Sequence, residues 1–239
     1  MLWSWFFAFI SFFIKGLCGF ADAMVFTTLM SFTDSITYAS PLMQVLGYPS
    51  NLIMIREHRK SVDLKICLPL CAMVIVGIIP GTLFFKNIDI GVLEIIFGLF
   101  VVGIALDMLL SKKKPVQAAQ KPGWKMGLLG IIAGFVCGFC GLGVLIGAYI
   151  SKVTSDTRAF KANACVVFFV ASTIKIILFI LLDMLTKELL LQALMLFPIA
   201  LLGLWAGMKS SSIFNEARAR KTVLIMLILS GLMLVINNL

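Results

Sequence analysis

The sequence predicts an all-α integral membrane protein of two inverted repeats, each a re-entrant hairpin followed by three transmembrane helices. Three observations predict it. Of the 239 residues, 61% are apolar and only 13% charged, where a soluble domain is nearer half and a quarter; several stretches of about 20 residues carry almost no charge, the length a bilayer core requires. Short motifs of the first half return in order in the second. The basic residues gather on one side of the membrane once the first segment of each half enters and leaves on the same face.

The first repeat, residues 1–111, opens with the apolar segment 2–32. Its start, "MLWSWFFAFISFFIKGLCGFADAM", lacks the basic n-region of a signal peptide and is read as mature sequence. Spans follow at 38–55, 64–85 and 90–110. Residues 112–125, "KKKPVQAAQKPGWK", lie in the longest polar stretch and read as a cytoplasmic linker. The second repeat, 126–239, has a hairpin at 126–151 and spans at 162–182, 188–208 and 221–236. Little is left for a soluble domain, so the six cysteines have no aqueous framework to staple. The net charge of +9 punctuates apolar spans, which orients a chain in a bilayer rather than holding nucleic acid. The chain is expected as a multi-pass protein of the inner cell membrane; the pattern leaves its oligomeric state open, a homodimer included.

The duplication rests on four matches. Cys18-Gly19-Phe20 matches Cys137-Gly138-Phe139 at an offset of 119 residues, and "YPSN" (48–51) lies over "VAST" (170–173) at 122. "GIIPG" (77–81) matches "GLWAG" (203–207) at 126, and Gly98 matches Gly231 at 133. The rising offsets are what loop insertions produce. With eight plain crossings the basic residues divide 10 to 8, which is no bias. With the first segment of each half re-entrant they divide 16 to 2, leaving Lys86 and Lys187 outside and Lys15 and Lys175 within segments. Each half then crosses an odd number of times, so the halves are inverted and both termini lie outside. Inverted repeats are a recurring plan of secondary transporters, whose sites sit where broken helices meet near the midplane.

The hairpin midpoints fall near residues 17 and 138, on the repeated Cys-Gly-Phe. A chain that turns inside the bilayer exposes backbone polar groups, tolerable only against protein or a watery cavity. The stretch "VCGFCGLG" (136–143) supplies Gly138, Gly141 and Gly143 for the unusual backbone angles of such a tip. A phosphate loop would need the dinucleotide fingerprint and a βαβ unit, and neither is present. A zinc site would need four N or S ligands, and the single histidine, His58, stands in a basic loop. No metal or cofactor is therefore expected, and no enzymatic activity. Cys18 and Cys137 keep a second reading open, a membrane thiol–disulfide carrier passing electrons, although the prolines that flank such cysteines in inverted-repeat thiol carriers are missing. Free buried cysteine otherwise packs as a small hydrophobe.

At this point the sequence resembles the TauE/SafE family of sulfite exporters over nearly its whole length. The resemblance is carried by "GFVCGFCGLGVLIGAYI", "DTRAFKANACVVFF", "LFPIALLGLWAGM" and "EARARKTVLIMLILSGLMLVI", and in the first half by "IKGLCGFADAMVF" and "IIPGTLF". The chain departs from the family pattern at Asp22, where the first hairpin tends to be glycine-rich, and at Leu142-Gly143-Val144, where Gly-Gly-Pro is common. The resemblance implies movement of small sulfur oxyanions or organosulfonates, usually outward and either passive or linked to the proton-motive force. An anion channel is a further alternative.

The residues agree with an anionic substrate. Lys175 stands 13 positions beyond Ala162, where its segment begins, and an ammonium at that depth must pair or face a cavity. Lys15 lies beside the first hairpin tip, with Asp22 as its counter-ion or as a proton-coupling carboxylate. Ser50, Asn51, Ser172 and Thr173 hold matched positions and offer hydroxyls and amides to sulfonate oxygens. Gly19, Gly138 and Gly141 give backbone access at the tips, where half-helix N-termini add positive dipole. The paired GIIPG and GLWAG are read as close helix crossings, since small residues four apart let backbones approach.

Overall fold

The computed structural model describes residues 2–19, 21–110, 124–140, 143–154, 157–210 and nine residues between 224 and 236. These are helical apart from short turns. In order they form α1 (Leu2–Cys18), α2 (Asp22–Met30), α3 (Ile36–Glu57), a 3-10 turn (Arg59–Ser61), α4 (Leu64–Asn87), α5 (Ile90–Leu110), α6 (Trp124–Cys140), α7 (Val144–Val153), α8 (Thr157–Leu181) and α9 (Lys187–Ser210). Each expected span from 38–55 to 188–208 is a helix within a few residues of its predicted ends. The segments expected as hairpins, 2–32 and 126–151, each hold a longer helix followed by a shorter one. Residues 112–123 of the linker, Gly141 and much of 221–236 lie outside the described residues.

Length and composition make α4, Arg158–Leu181 of α8, and α9 capable of crossing a membrane. Prolines at 41 and 49 in α3, 69 and 80 in α4, and 198 in α9 sit inside helices, as membrane helices tolerate when neighbours satisfy the freed backbone groups. At the start of α4, Asp63 caps the helix by accepting from the Lys65 amide at 2.9 Å.

Specific contacts fix the helix directions. At one end of the bundle the Asp63 amide donates to Asn163 Oδ1 at 2.8 Å, joining the start of α4 to the start of α8. At the other, Lys86 Nζ donates to Leu182 O at 3.0 Å, and Tyr38 donates to Gln192, joining the starts of α3 and α9. Thus α4 and α8 run one way and α3 and α9 the other. Gly203 faces Phe9 and Gly207 faces Phe13, so α1 lies parallel to α9. Gly134 faces Val74 and Gly138 faces Ile78, so α6 lies parallel to α4.

These crossings are backbone on backbone. A Cβ on Gly77 would lie 2.1 Å from Ile131 O, and one on Gly81 2.3 Å from Phe135 O. A Cβ on Gly203 would lie 2.5 Å from Phe9 O, and one on Gly207 2.1 Å from Phe13 O. The two glycine pairs matched in the sequence therefore do the same work, each seating the broken helix of the other half. The match of Gly98 with Gly231 is also a contact, with a Cβ on Gly231 placed 3.0 Å from Gly98 O. Among the described residues three apolar cores surround the crossings. One joins α1, α2, α3 and α9 through Phe12, Phe26, Leu42 and Leu204; another joins α4, α6, α7 and α8 through Leu70, Ala133, Ile146 and Val167; the third brings in α5 through Leu93 and Phe97. Apolar side chains on the outer surface, Leu68, Leu181 and Leu194 among them, are left exposed, as a lipid-facing surface requires.

The helix ends favour a different offset from the one the Cys-Gly-Phe match suggests. Cys18 and Cys140 end α1 and α6, and Asp22 and Val144 begin α2 and α7, both pairs 122 residues apart. At that offset Gly16 corresponds to Gly138, and both are crossing glycines; a Cβ on Gly16 would lie 2.5 Å from Leu204 O. Cys18 then corresponds to Cys140, and Cys137 to Lys15. The helix ends thus lie one helical turn from the Cys18–Cys137 equivalence expected from the Cys-Gly-Phe match at 119.

The crossings give a stability prediction. Gly77→Ala and Gly207→Ala each force two backbones apart and should cost about 1–3 kcal/mol, seen as a lowered melting temperature in detergent. Gly103→Ala, with nothing within 4 Å of its Cβ, should be neutral or gain up to about 1 kcal/mol from helix propensity.

Candidate functional site

The break between α1 and α2 turns on Gly19 at φ 85° and Ala21 at φ 77°, the left-handed region in which glycine is unstrained and alanine is not. That turn brings Lys15, in the last turn of α1, against Asp22, the first residue of α2. Each charge suits its helix end, cation at a C-terminus and carboxylate at an N-terminus. Lys15 Nζ lies 2.5 Å from Asp22 Oδ2, and Lys15 is only 2% exposed. From α3, Gly47 faces the pair, its Cβ position 3.8 Å from Asp22 Oδ2 and 4.0 Å from Lys15 Nζ.

The ion pair forms one wall of a cavity of about 40 Å³, room for a few waters or a small ion. Its polar lining is Lys15, Asp22, Gln44, Asn51 and Ser172, with Cys137 and Gly143 contributed from the second break. The cavity thus lies between the two breaks, walled by α3 and α8. Asn51 is 3% exposed, and its Oδ1 makes no hydrogen bond. The two ends of an amide are interchangeable in assignment, so the physical content is an unmet hydrogen-bonding group at the cavity wall.

The other expected residues divide. Ser50 Oγ donates to Gly47 O at 2.6 Å, and Thr173 Oγ1 donates to Phe169 O at 2.8 Å; both are turned back on their own helices. Ser172 and Asn51 face the cavity. Gly19 makes the first break, Gly138 belongs to the α4–α6 crossing, and Gly141 lies outside the described residues. Lys175 Nζ donates to Cys137 O at 3.2 Å and stands 5.1 Å from the Phe179 ring centroid. It meets the cavity wall at Cys137, in the second broken helix.

Two site residues escaped the sequence. Lys161 was counted with the basic loop before the span at 162, yet α8 begins earlier and Lys161 is 6% exposed. Its Nζ donates to Leu17 O at 2.6 Å. Both broken helices therefore have a C-terminal carbonyl held by an ammonium of α8, Leu17 by Lys161 and Cys137 by Lys175. Gln44 shares one face of α3 with Gly47 and Asn51 at helical spacing, a signal legible in principle. Where α3 ends, burial pushes the His58 imidazole below its usual range, and Lys161 and Arg158 push the same way against Glu57.

Residues 4–234 match the sulfite exporter TauE/SafE family. The chain belongs to the TauE/SafE family. No curated protein and no solved structure matches it. Membership places the chain among membrane anion transporters and not among enzymes. Of the described residues no group of three or more His, Cys, Asp or Glu is placed to hold a metal ion.

In this TauE/SafE chain the Lys15–Asp22 pair gives the next prediction. Breaking one partner of a buried pair leaves an uncompensated charge, so Lys15→Met should cost about 3–5 kcal/mol. The double change Lys15→Met with Asp22→Asn should recover much of that loss, measured by unfolding in detergent. Equal losses in the single and double variants would show that the two groups are not coupled.

Proposed function

We propose that the chain exports a small sulfur oxyanion, sulfite or a short organosulfonate, across the inner cell membrane, binding it at Lys15 in the cavity between the two helix breaks. The observation that carries this reading is a buried, dipolar, partly unsatisfied cavity where two helices stop inside an apolar bundle. Lys15 supplies the charge, and Asn51, Gln44 and Ser172 the hydrogen bonds. Lys175 and Lys161 hold the helix ends that frame the cavity, and Asp22 is the coupling carboxylate.

The same reading takes the architecture as two inverted repeats with re-entrant hairpins. Support comes from the opposite directions of α3 and α8, which hold equivalent places, and from the reciprocal pairing of α1 with α9 and α6 with α4. Further, α6 starts at the end of the bundle where α4 starts, and α7 finishes three residues before α8 sets out from that same end. The end that carries Arg56, Arg59, Lys60, Lys65 and Arg158 is assigned to the cytoplasm by the 16-to-2 charge division.

The test is flux by the purified protein in liposomes against sulfite, sulfate, thiosulfate, taurine and sulfoacetate. Saturable uptake with counterflow is expected for at least one of them, and Lys15→Ala should weaken binding by about 1–3 kcal/mol, the range of a charged hydrogen bond. Lys175→Ala should do less harm, because its ammonium meets the wall from behind. Flux without saturation would mark a channel. Abolition of flux by Cys137→Ala in well-expressed protein would favour thiol exchange. Single cysteines at Val116 and Ser211 should both label from the cytoplasmic side; labelling from opposite sides would restore eight plain crossings.

A further inference from the structure

The two ends of the cavity differ in chemistry, and the difference bears on the part of the substrate that is not the anion. Beside the first break stand Lys15 and Asp22, with Gln44 and Asn51 on α3. At the second break the lining is Cys137 and Gly143, with Phe168 and Ala171 of α8. Phe168 and Ala171 pack with Cys137 in one apolar core. Among the described lining residues this second end carries no charge, and the Cys137 thiol is at most a weak donor. On α8 the hydroxyl of Ser172 follows one turn after Phe168. Lys161 and Lys175 hold Leu17 O at 2.6 Å and Cys137 O at 3.2 Å. Neither ammonium lines the cavity; both favour an anion within it through space.

Phe168 bounds the uncharged end. A Cβ on Gly143 would lie 2.2 Å from Phe168 Cε1 and 2.7 Å from its Cζ, so the edge of the ring rests on the main chain of the second break, in room that only glycine leaves. The cavity volume of about 40 Å³ takes about three waters at roughly 10–15 Å³ each, and these fill roughly 90 Å³ in the liquid. That is room for a sulfonate head and a tail of one or two carbons, and for no longer chain while the ring stays in place. We infer that the cavity takes a short alkanesulfonate in one orientation, oxygens at Lys15 and carbon tail against Phe168, and that the Phe168 ring sets the limit on tail length. The inference rests on the reading of this cavity as the anion site and narrows it to an anion with an apolar end. An ion with oxygen at every corner of a tetrahedron would turn one of them toward Phe168 and Ala171, and a buried polar group without a donor is costly. A carbon in that place is favoured instead, by about fourfold in affinity per buried methylene.

The experiment uses the full chain in liposomes. Labelled methanesulfonate is the probe, and the straight-chain sulfonates of two, three and four carbons compete with it, as does sulfate. Ethanesulfonate should compete about as well as unlabelled methanesulfonate, and propane- and butanesulfonate at least tenfold less well. Sulfate should also fall at least tenfold below ethanesulfonate, although the lysines around the cavity favour its double charge. Phe168→Ala should reverse the order, with affinity rising about fourfold per added carbon. Gly143→Ala drives the ring into the cavity and should weaken methanesulfonate at least tenfold. Adding Phe168→Ala to Gly143→Ala should restore it, which removing a ring would not do for a general folding defect at the break. Phe168→Leu, a milder change, should move the limit in the same direction and keeps the test open if Phe168→Ala folds poorly. Butanesulfonate competing as well as methanesulfonate in the wild type overturns the inference, as does sulfate competing as well as ethanesulfonate. So does an unchanged order in the folded Phe168 variants, or a Gly143→Ala defect that Phe168→Ala leaves uncorrected. Transport of sulfite with no alkanesulfonate carried or competing also overturns it and leaves the exporter reading standing. Transport of none of these anions overturns the exporter reading itself, and the inference falls with it.

Discussion

The constraint on which this structure depends is that a helix ending inside an apolar bundle leaves its last carbonyls without amide partners. In water they would be solvated; in a bilayer each costs several kcal/mol unless something donates to it. The chain stops two helices this way, at Cys18 and at Cys140. In each case an ammonium of α8 reaches back to a carbonyl near the end, Lys161 to Leu17 and Lys175 to Cys137. The two lysines are 14 residues apart on one helix, about 21 Å of rise. A single helix therefore ties down both breaks, and the space between them is where polar groups can gather.

That arrangement needs each broken helix held along its length. The glycine crossings supply this, and they do so across the halves: α1 rests on α9, and α6 on α4. A broken helix without a close neighbour could slide, because lipid gives it no reason to prefer one position. Gly77, Gly81, Gly203 and Gly207 remove the side chains that would hold the backbones apart, so van der Waals contact is made by the main chain itself. The same four positions explain why α4 and α9 carry glycine in stretches that otherwise favour large apolar residues.

Much of this was legible in the sequence because membrane spans are written in composition. Helices α3, α4, α5, α8 and α9 follow the charge-poor runs, and the Gly-x-x-x-Gly pairs announced the crossings that they make. The two breaks were legible as glycine clusters. Their register was not. The Cys-Gly-Phe match pointed to an offset of 119, yet the helix ends and the crossing glycines keep to 122, since a local three-residue identity carries no information about where the hydrogen-bond ladder stops. Lys161 was hidden for a different reason. A basic residue at the edge of a span ordinarily reaches out to water, and only the position of α1 turns this one inward. Lys15 and Asp22 were visible as intramembrane charges and expected as partners; the left-handed turn at Gly19 and Ala21 is what brings them into contact.

The cavity also shows where the chain departs from what stability alone would select. A buried ion pair is usually no more stabilising than well-packed apolar residues of the same volume. Asn51 is left with an unmet hydrogen-bonding group at 3% exposure, and such a group costs about 1–3 kcal/mol. Gly47 leaves open the space beside the pair that any larger residue would fill. The ion pair, the unmet group of Asn51 and the space beside Gly47 meet within one cavity, at the junction of both helix breaks. An ion pair and an unpaired amide facing one small cavity are what the proposed oxyanion site is built on, with Lys15 as its charge and the amide of Asn51 able to present its NH2 by the rotation that exchanges its two ends.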